Sequence, residues 1–557
     1  MEIKRIDDRL SVSAQIGPDD VPAVAAAGFR SIIANRPDGE GGDQPDFAAI
    51  AAEADRLGLK AAYLPVTSGK VGDDEAIAFD RLLKELPGPT LAYCRTGTRS
   101  TTLWSLAQGA AGTPLPDILR AAKAAGYDMN GVARRIANKG KVAMDVVDAH
   151  AEVVIVGGGA AGIAVAASLK ARKPDLDIAI IDPAEVHYYQ PGWTMVGGGV
   201  FDPASTAKTM ASLIPPGVRW FKAAVAAFEP AKNAVILEGC RVVTYRALVV
   251  AAGLKLDWAG IEGLQETLGR NGVTSNYRYD LAPYTWELVQ SLKRGRAVFT
   301  QPPMPIKCAG APQKALYLSA DHWHRQGRLN DIRIDFFNAG AVLFGVKDYV
   351  PALMAYIERY GAALRFQHRL TRVDGARRRA WFARTEADGS TSTVETEFDM
   401  IHVVPPQVAP DFVRVSPLAD ASGWIDVDQG TLRHKSFAGV YALGDVSSTP
   451  NAKTAAAARK QAPIVAHNLL RDLGHGAAAD AIYDGYGSCP LTVERGKIVL
   501  AEFGYGGKLL PSFPAWLIDG RKPSHLAWLL KERMLPPIYW KAMLRGREWL
   551  ARPELAA

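Results

Sequence analysis

One stretch constrains this chain more than any other. Val153-Val-Ile-Val156, a short run of β-branched residues, is followed at once by Gly157-Gly-Gly-Ala-Ala-Gly162 and then by a helix-forming run, Ile163 to Lys170. A second apolar run, Ile178-Ala-Ile-Ile181, ends on Asp182. The glycines of such a GxGxxG turn, here Gly157, Gly159 and Gly162, let the backbone approach a pyrophosphate at the positive end of a helix. An acidic residue about 20 positions on, here Asp182, accepts hydrogen bonds from a ribose. The pattern predicts a strand–helix–strand nucleotide unit, although the turn taken alone also admits a purely structural reading.

Two further stretches sharpen it. Val249-Val-Ala-Ala-Gly253 resembles the strand-to-glycine crossover of flavoproteins built from two dinucleotide domains, and Leu443-Gly-Asp445 resembles their second flavin fingerprint. The resemblance implies FAD held by Gly157, Gly159, Gly162, Asp182, Gly253, Gly444 and Asp445. In such proteins the inserted domain usually binds NAD(P)H through its own glycine-rich loop. Here the loop after the strand Arg296–Thr300 reads Gln301-Pro-Pro-Met-Pro-Ile-Lys-Cys-Ala-Gly310. Its three prolines remove backbone donors that a pyrophosphate would need, so the expected electron source is something other than a nicotinamide.

Cysteine takes the place of glycine in that loop. Only four cysteines occur, Cys94, Cys240, Cys308 and Cys489, too few for a secreted disulfide scaffold and without CxxC metal spacing, so no metal is expected. Cys308 precedes a helix whose first turn holds Pro312; the helix N-terminus and Lys307 favour its thiolate.

The run His187-Tyr-Tyr-Gln-Pro-Gly-Trp-Thr194, together with Pro305-Ile-Lys-Cys-Ala-Gly-Ala-Pro-Gln-Lys314, Lys453-Thr-Ala-Ala-Ala457 and Tyr483-Asp-Gly-Tyr-Gly-Ser-Cys-Pro490, resembles the sulfide:quinone oxidoreductases of mitochondria and many bacteria, over about 150 to 550. That resemblance implies a redox disulfide, or its sulfur-bridged form, between Cys308 and Cys489. Sulfide attacks it, a persulfide stays on Cys489, and the Cys308 thiolate faces the flavin. It also implies that Lys453 lies near the flavin pyrimidine, where a cation stabilises reduced flavin, and that Pro191 belongs to the cofactor site. Cys240 has no counterpart and is read as structural.

Most of the net charge of +7 sits at the end of the chain, where residues 521 to 557 hold eight Lys or Arg against three Glu. In Leu526 to Arg545 apolar and aromatic residues recur at helical spacing with bases between them. This suits an interfacial helix pair, with Trp at headgroup depth and bases toward anionic lipid, and equally suits a helix hairpin packed on the protein itself. The resemblance favours the membrane, since quinone is dissolved there. No signal peptide and no apolar run of about 18 residues is seen. A peripheral, monotopic protein on the cytoplasmic face of a bacterial inner membrane is expected.

The first 112 residues alternate short apolar strands and helices. Tyr93-Cys94-Arg-Thr-Gly-Thr-Arg99-Ser100 follows a strand and opens a helix, so Cys94 lies among backbone N–H groups that lower a thiol pKa. Tyrosine phosphatases place Arg six positions after Cys. Here Arg99 is five after Cys94, matching the CRxGxR loop of rhodanese sulfurtransferases. The wider domain, with Ile33-Ala-Asn-Arg-Pro-Asp38, is similar to the phosphatase-like family of beta-lactamase-hydrolase-like proteins, and Asp38 reads as a phosphatase acid. We read Cys94 and Arg99 as a sulfur-transfer site.

The expected fold class is α/β. A phosphatase-like sulfurtransferase domain (1–136) and a linker (137–150) lead into an FAD-binding Rossmann domain (151–270 and 425–480), a degenerate NAD-type Rossmann domain (271–424) and a quinone- and membrane-binding region (481–557). Sulfide, quinone and a thiol sulfur acceptor such as glutathione are the expected partners, with no nucleic acid; an oligomer is compatible with the sequence. The rival reading is an NADH:quinone oxidoreductase with a phosphatase-like or catalytically silent front domain.

Overall fold

The computed structural model of the protein describes residues 2–41, 44–67, 71–140, 148–238, 241–476 and 479–556. Cys240 and most of the expected linker, 141–147, lie outside the described residues. The chain divides into two units. One comprises 1–150, 223–245 and 411–423, and the other 151–222, 246–410 and 424–557.

The first unit holds a five-stranded sheet in the order Ile3–Arg5, Leu10–Ser13, Thr90–Tyr93, Ser31–Ala34, Lys60–Tyr63. Only the first pair is antiparallel. Alternate residues feed two cores: Val12, Ile33 and Ala92 face one way, and Ile32, Ala34, Leu91 and Tyr93 the other. Both faces are covered by helices, as a parallel sheet requires. Segments that the sequence reading assigned elsewhere complete this unit, because Ala226, Ala227, Ile236 and Val415 join the core of Ile118 and Leu119.

The second unit contains the nucleotide folds. Strand Ala149–Val156 pairs in parallel with Ile178–Ile181, which pairs in turn with Val218–Phe221. On the other side Leu248–Val250 pairs in parallel with Val440–Ala442. Helix Ala160–Arg172 starts at Gly159 and is buried from Ala161 to Leu169. Two glycines permit this turn. Gly157 has φ +105°, and a Cβ on Gly162 would lie 1.8 Å from the Gly157 carbonyl oxygen.

A second parallel sheet runs Val273–Thr274, Met400–His402, Gly295–Gln301, Ile332–Asn338, Ala363–Phe366. Helix Ala311–Arg325 follows its third strand. The antiparallel hairpin Gly487–Glu494/Lys497–Phe503 lies between two layers. Cys489, Leu491, Val493, Val499 and Ala501 share a core with Ala315, Leu316 and Tyr317 of that helix, and Ile498 and Leu500 share another with Ala527 and Trp528.

The final helical run, His525–Lys541, is interrupted by a π turn at Leu530–Met534. Its pattern is that of a packed helix more than a floating one. Trp528, Tyr539 and Trp540 are buried, while Leu526 and Met534 stay exposed, as do Trp516 and Leu517. The expectation that the tail tryptophans sit at headgroup depth is therefore corrected for Trp528 and Trp540; helical spacing cannot distinguish a core face from a lipid face. Among the described residues no helix is long and apolar enough to cross a membrane.

Gly162→Ala should cost about 1–3 kcal/mol of strain in this turn. The expected outcome is loss of most bound flavin on purification, read from the flavin absorbance per chain, with a lower melting temperature.

Candidate active site

The hairpin alternation points Cys489 toward the N-terminal turn of helix Ala311–Arg325. Cys308 stands just ahead of that turn with φ +50°, a left-handed conformation that costs a non-glycine residue about 1–2 kcal/mol and so needs support. Its amide donates to the Lys453 carbonyl at 2.8 Å, and its own carbonyl accepts from the Ala311 amide at 2.7 Å. The Tyr277 hydroxyl donates to the Lys307 carbonyl at 3.1 Å and lies 3.4 Å from that of Cys308. The two sulfurs are 3.7 Å apart as free thiols. Gly310 keeps the space beside Cys489, since a Cβ there would lie 2.5 Å from its sulfur.

Side chains on a helix lean toward its N-terminus, and Lys314, one turn in, does so. Its ammonium donates to the Cys308 sulfur at 3.2 Å. Lys314 is 2 % exposed. Burial works to lower its pKa, but the two sulfurs more than offset this and hold the ammonium above its ordinary value. The contact between the sulfurs and the nearby ammonium push the two thiols in opposite directions. The hydrogen bond with Cys489 and the charge of Lys314 hold Cys308 well below the usual thiol range against its burial, while Cys489, bonded to that thiolate and buried, is pushed well above it.

Lys531, read from sequence as a lipid-facing base, points inward. It is 3 % exposed, and its ammonium donates to the Pro191 carbonyl at 2.9 Å. Burial, reinforced by Lys314 and opposed by the two sulfurs, lowers its pKa to about 7. Neither Lys314 nor Lys531 was singled out from sequence. A lysine six residues after Cys308 on a predicted helix was the available signal for Lys314; nothing local marks Lys531.

The structure places the remaining predicted residues as follows. The Lys307 ammonium donates to Gln190 Oε1 at 2.5 Å and lies 5.9 and 5.7 Å from the ring centres of Trp193 and Tyr277. Lys453 donates to the carbonyls of Asp445 and Ser447 at 2.7 and 2.9 Å and lies 4.0 Å from the Trp424 ring centre, so it also braces the Gly444-Asp445 turn. Asp182 accepts from the amides of Gly158 and Ala184 at 2.6 and 2.7 Å. Gly444 has φ +73°, and its amide donates to Gln461 at 2.8 Å.

These residues fit a dinucleotide. Gly157 and Gly162 form a cradle that side chains would fill, whereas nothing lies within 4 Å of a Cβ on Gly159 or Gly253. Asp445 is raised from its ordinary carboxylate value by burial, and the charges of Lys307 and Lys453 oppose that rise. The Asn276 amide, buried beside Gly197, has neither its oxygen nor its nitrogen hydrogen-bonded.

In the other unit, the Cys94 sulfur is buried and accepts from the Gly97 amide at 3.1 Å. Gly97, with φ +88°, caps helix Thr98–Ala110. Arg99 is near in sequence but engaged elsewhere: Nη1 donates to the Val66 carbonyl at 2.5 Å and Nη2 to Glu40 at 2.7 Å. Asp38 accepts from the Phe47 amide at 2.8 Å. Among the described residues no cluster could hold a metal ion.

Two cysteine sulfurs in contact, in a unit with a glycine-turn dinucleotide cradle, define a class, and the pyridine nucleotide-disulphide oxidoreductase family matches residues 151–285. The phosphatase-like domain of beta-lactamase hydrolase-like proteins matches residues 2–111. The mitochondrial sulfide:quinone oxidoreductase of Dictyostelium discoideum is 43% identical over 407 residues, covering 72% of this chain and 88% of its own. That of Mus musculus is 38% identical, covering 71% and 87%. The chain belongs to the sulfide:quinone oxidoreductase family. The Aquifex aeolicus enzyme of that name shares the fold at a TM-score of 0.61, with 19% identity over 73% of this chain and 97% of that one. In front, the beta-lactamase hydrolase-like protein of Agrobacterium fabrum is 33% identical over 24% of this chain and 31% of its own.

Lys314→Gln removes the cation from the Cys308 thiolate. Alkylation of Cys308 by iodoacetamide at pH 7, followed on its own peptide by mass spectrometry, should slow by about tenfold or more. Lys531 gives a second test. Below about pH 7 the folded protein must hold a buried ammonium, a cost absent from the unfolded chain. As pH rises toward the ordinary lysine value, the folded form sheds that proton first and the cost fades. Lys531→Met should therefore raise the melting temperature more at pH 6 than at pH 9.

Proposed function

We propose that the protein oxidises sulfide at the Cys308/Cys489 pair and passes the electrons through FAD to membrane quinone, leaving the sulfane sulfur for a thiol acceptor. The observation that carries this is a buried pair of cysteine sulfurs 3.7 Å apart, with the Lys314 ammonium 3.2 Å from the sulfur of Cys308. In the oxidised enzyme the two sulfurs are bonded. Hydrosulfide attacks Cys489, the S–S bond breaks, and the electron pair stays on Cys308, whose thiolate Lys314 stabilises. Cys489 keeps the persulfide, and a thiolate such as that of glutathione removes its outer sulfur. Both cysteines are then reduced, and reforming their bond releases two electrons. Bound FAD supplies the two-electron relay from this pair to quinone. Gly157, Gly159, Gly162, Asp182 and Gly253 would hold its adenosine and pyrophosphate; Gly444, Asp445, Lys453 and Pro191 would hold its flavin half.

The roles follow the stretches argued from the sequence: 151–270 with 425–480 for FAD, 271–424 for the degenerate second nucleotide fold, 481–557 for quinone and membrane. The exposed Trp516, Leu517, Leu526 and Met534, in a basic stretch, support peripheral attachment, which we place on the cytoplasmic face of a bacterial inner membrane. The domain at 1–136 would receive sulfane sulfur on Cys94 by way of the diffusible thiol. The family description of that domain favours a second reading, phosphate-ester hydrolysis.

Anaerobic sulfide titration of the purified protein should produce a long-wavelength charge-transfer band and bleach the flavin. Cys308→Ser and Cys489→Ser should each abolish sulfide-dependent quinone reduction with FAD still bound. Bleaching by NADH and not by sulfide, or activity retained in either variant, would sink the proposal.

A further inference from the structure

We propose that Tyr539, near the end of the final helical run, is a positioning residue for FAD: through His187 it fixes the Gly158–Gly159 peptide of the glycine turn. The proposal rests on reading that turn as the FAD cradle.

A peptide between two glycines is among the least restrained in any chain, and the turn at 157–162 has one near its centre. Its two edges are coupled. The peptide is planar and trans, so the Gly158 carbonyl and the Gly159 N–H point in opposite directions, and whatever fixes the carbonyl also aims the N–H. Gly159 is the N-cap of helix Ala160–Arg172, at the end where backbone N–H groups have no partner within a helix and a pyrophosphate finds its donors. The peptide before it is held by Asp182, which accepts from the Gly158 amide at 2.6 Å. The Gly158 carbonyl is held by His187, whose Nδ1 lies 3.2 Å from it.

His187 is set in turn by the tail. A carbonyl only accepts, so Nδ1 carries the imidazole proton, and Nε2 is left as the acceptor for the Tyr539 hydroxyl at 2.6 Å. Both side chains are buried. Burial, opposed by the bond to Gly158, lowers the His187 pKa to about 4, and burial raises that of Tyr539, so at neutral pH the imidazole is neutral and the phenol keeps its proton. Tyr539 is itself well anchored. Its ring packs on those of Tyr189 and Trp540, with centroids 4.8 and 5.0 Å away. Lys208, opposite His187 in the strand pair Val186–Tyr188/Ala207–Thr209, lies 4.7 Å from the Trp540 ring centre. Further on, the chain grips the same helix that the glycine turn opens. Glu548 accepts from the Ser168 hydroxyl at 2.6 Å and from Arg172 Nη2 at 2.8 Å, and a Cβ on Gly546 would lie 2.4 Å from the Ala167 carbonyl oxygen. The end of the chain is thus strapped along the cradle, and Tyr539 is the point at which the strap reaches the turn.

The test compares full-length Tyr539→Phe, which keeps the ring, with His187→Phe and the double variant. Release of FAD from the holoprotein on dilution, followed by the recovery of flavin fluorescence, should quicken about tenfold in Tyr539→Phe, on the order of one buried hydrogen bond lost. His187→Phe should release FAD at least as fast, and the double variant no faster than His187→Phe, because Tyr539 acts only through His187. Melting with and without added FAD separates this from a merely structural role. Loss of a group that positions the cradle narrows the gap between the two melting temperatures, whereas loss of packing lowers both alike. Unchanged release or an unchanged gap in Tyr539→Phe, or effects that multiply in the double variant, would overturn the role of Tyr539 and leave the FAD reading standing. If His187→Phe does not fold, release and the melting gap in Tyr539→Phe decide the matter on their own. No FAD bound by the unaltered protein would overturn the reading itself, and the inference with it.

Discussion

The ammonium of Lys314 against the sulfur of Cys308 is the interaction on which the rest of the sulfur site depends. A charge buried this deeply is tolerated only when paired, and here each member keeps the other ionised. Around it the protein provides little else that is charged and free: Lys307 and Lys453 are directed to an amide and to carbonyls, and Lys531 has a pKa near neutrality. The site thus sets two chemically identical side chains apart, with the Cys308 thiol pushed down and that of Cys489 pushed up.

Geometry supplies the remaining discrimination. Cys308 is held in a left-handed conformation by bonds at both its amide and its carbonyl, and Cys489 arrives on a strand whose alternate residues are packed against the helix carrying Lys314. Both cysteines are thus fixed at their backbones, Cys308 by hydrogen bonds and Cys489 by the ladder of the hairpin. The shorter range of the front site shows the opposite economy. There Arg99, five residues after Cys94, is turned to a glutamate 59 residues away.

What could be read from sequence was what is local. The glycine turn at Gly157 to Gly162, the strand at Thr90–Tyr93 ahead of Cys94, and the proline-rich approach to Cys308 all act over a few residues, and their chemistry is written in adjacent letters. The family motifs also placed Cys308 and Cys489 together across 181 positions, which periodicity could not have done. Lys531 was missed because an amphipathic helix presents the same spacing whether its partner is lipid or a β-hairpin; only the apolar face of Ile498 and Leu500 decides between them.

The first unit is not finished where its sequence family ends. Its core takes in Ala226, Ala227 and Ile236 from one later segment and Val415 from another. Lys123 and Asn130 donate to the carbonyls of Arg414 and Val415, and Arg120 pairs with Asp411. A chain of beads could lose its first bead and keep the others. This one could not, because residues far along the chain have surrendered their apolar faces to the front. The chain therefore leaves and re-enters the first unit twice after residue 150, and a cut there would strip that unit of part of its core.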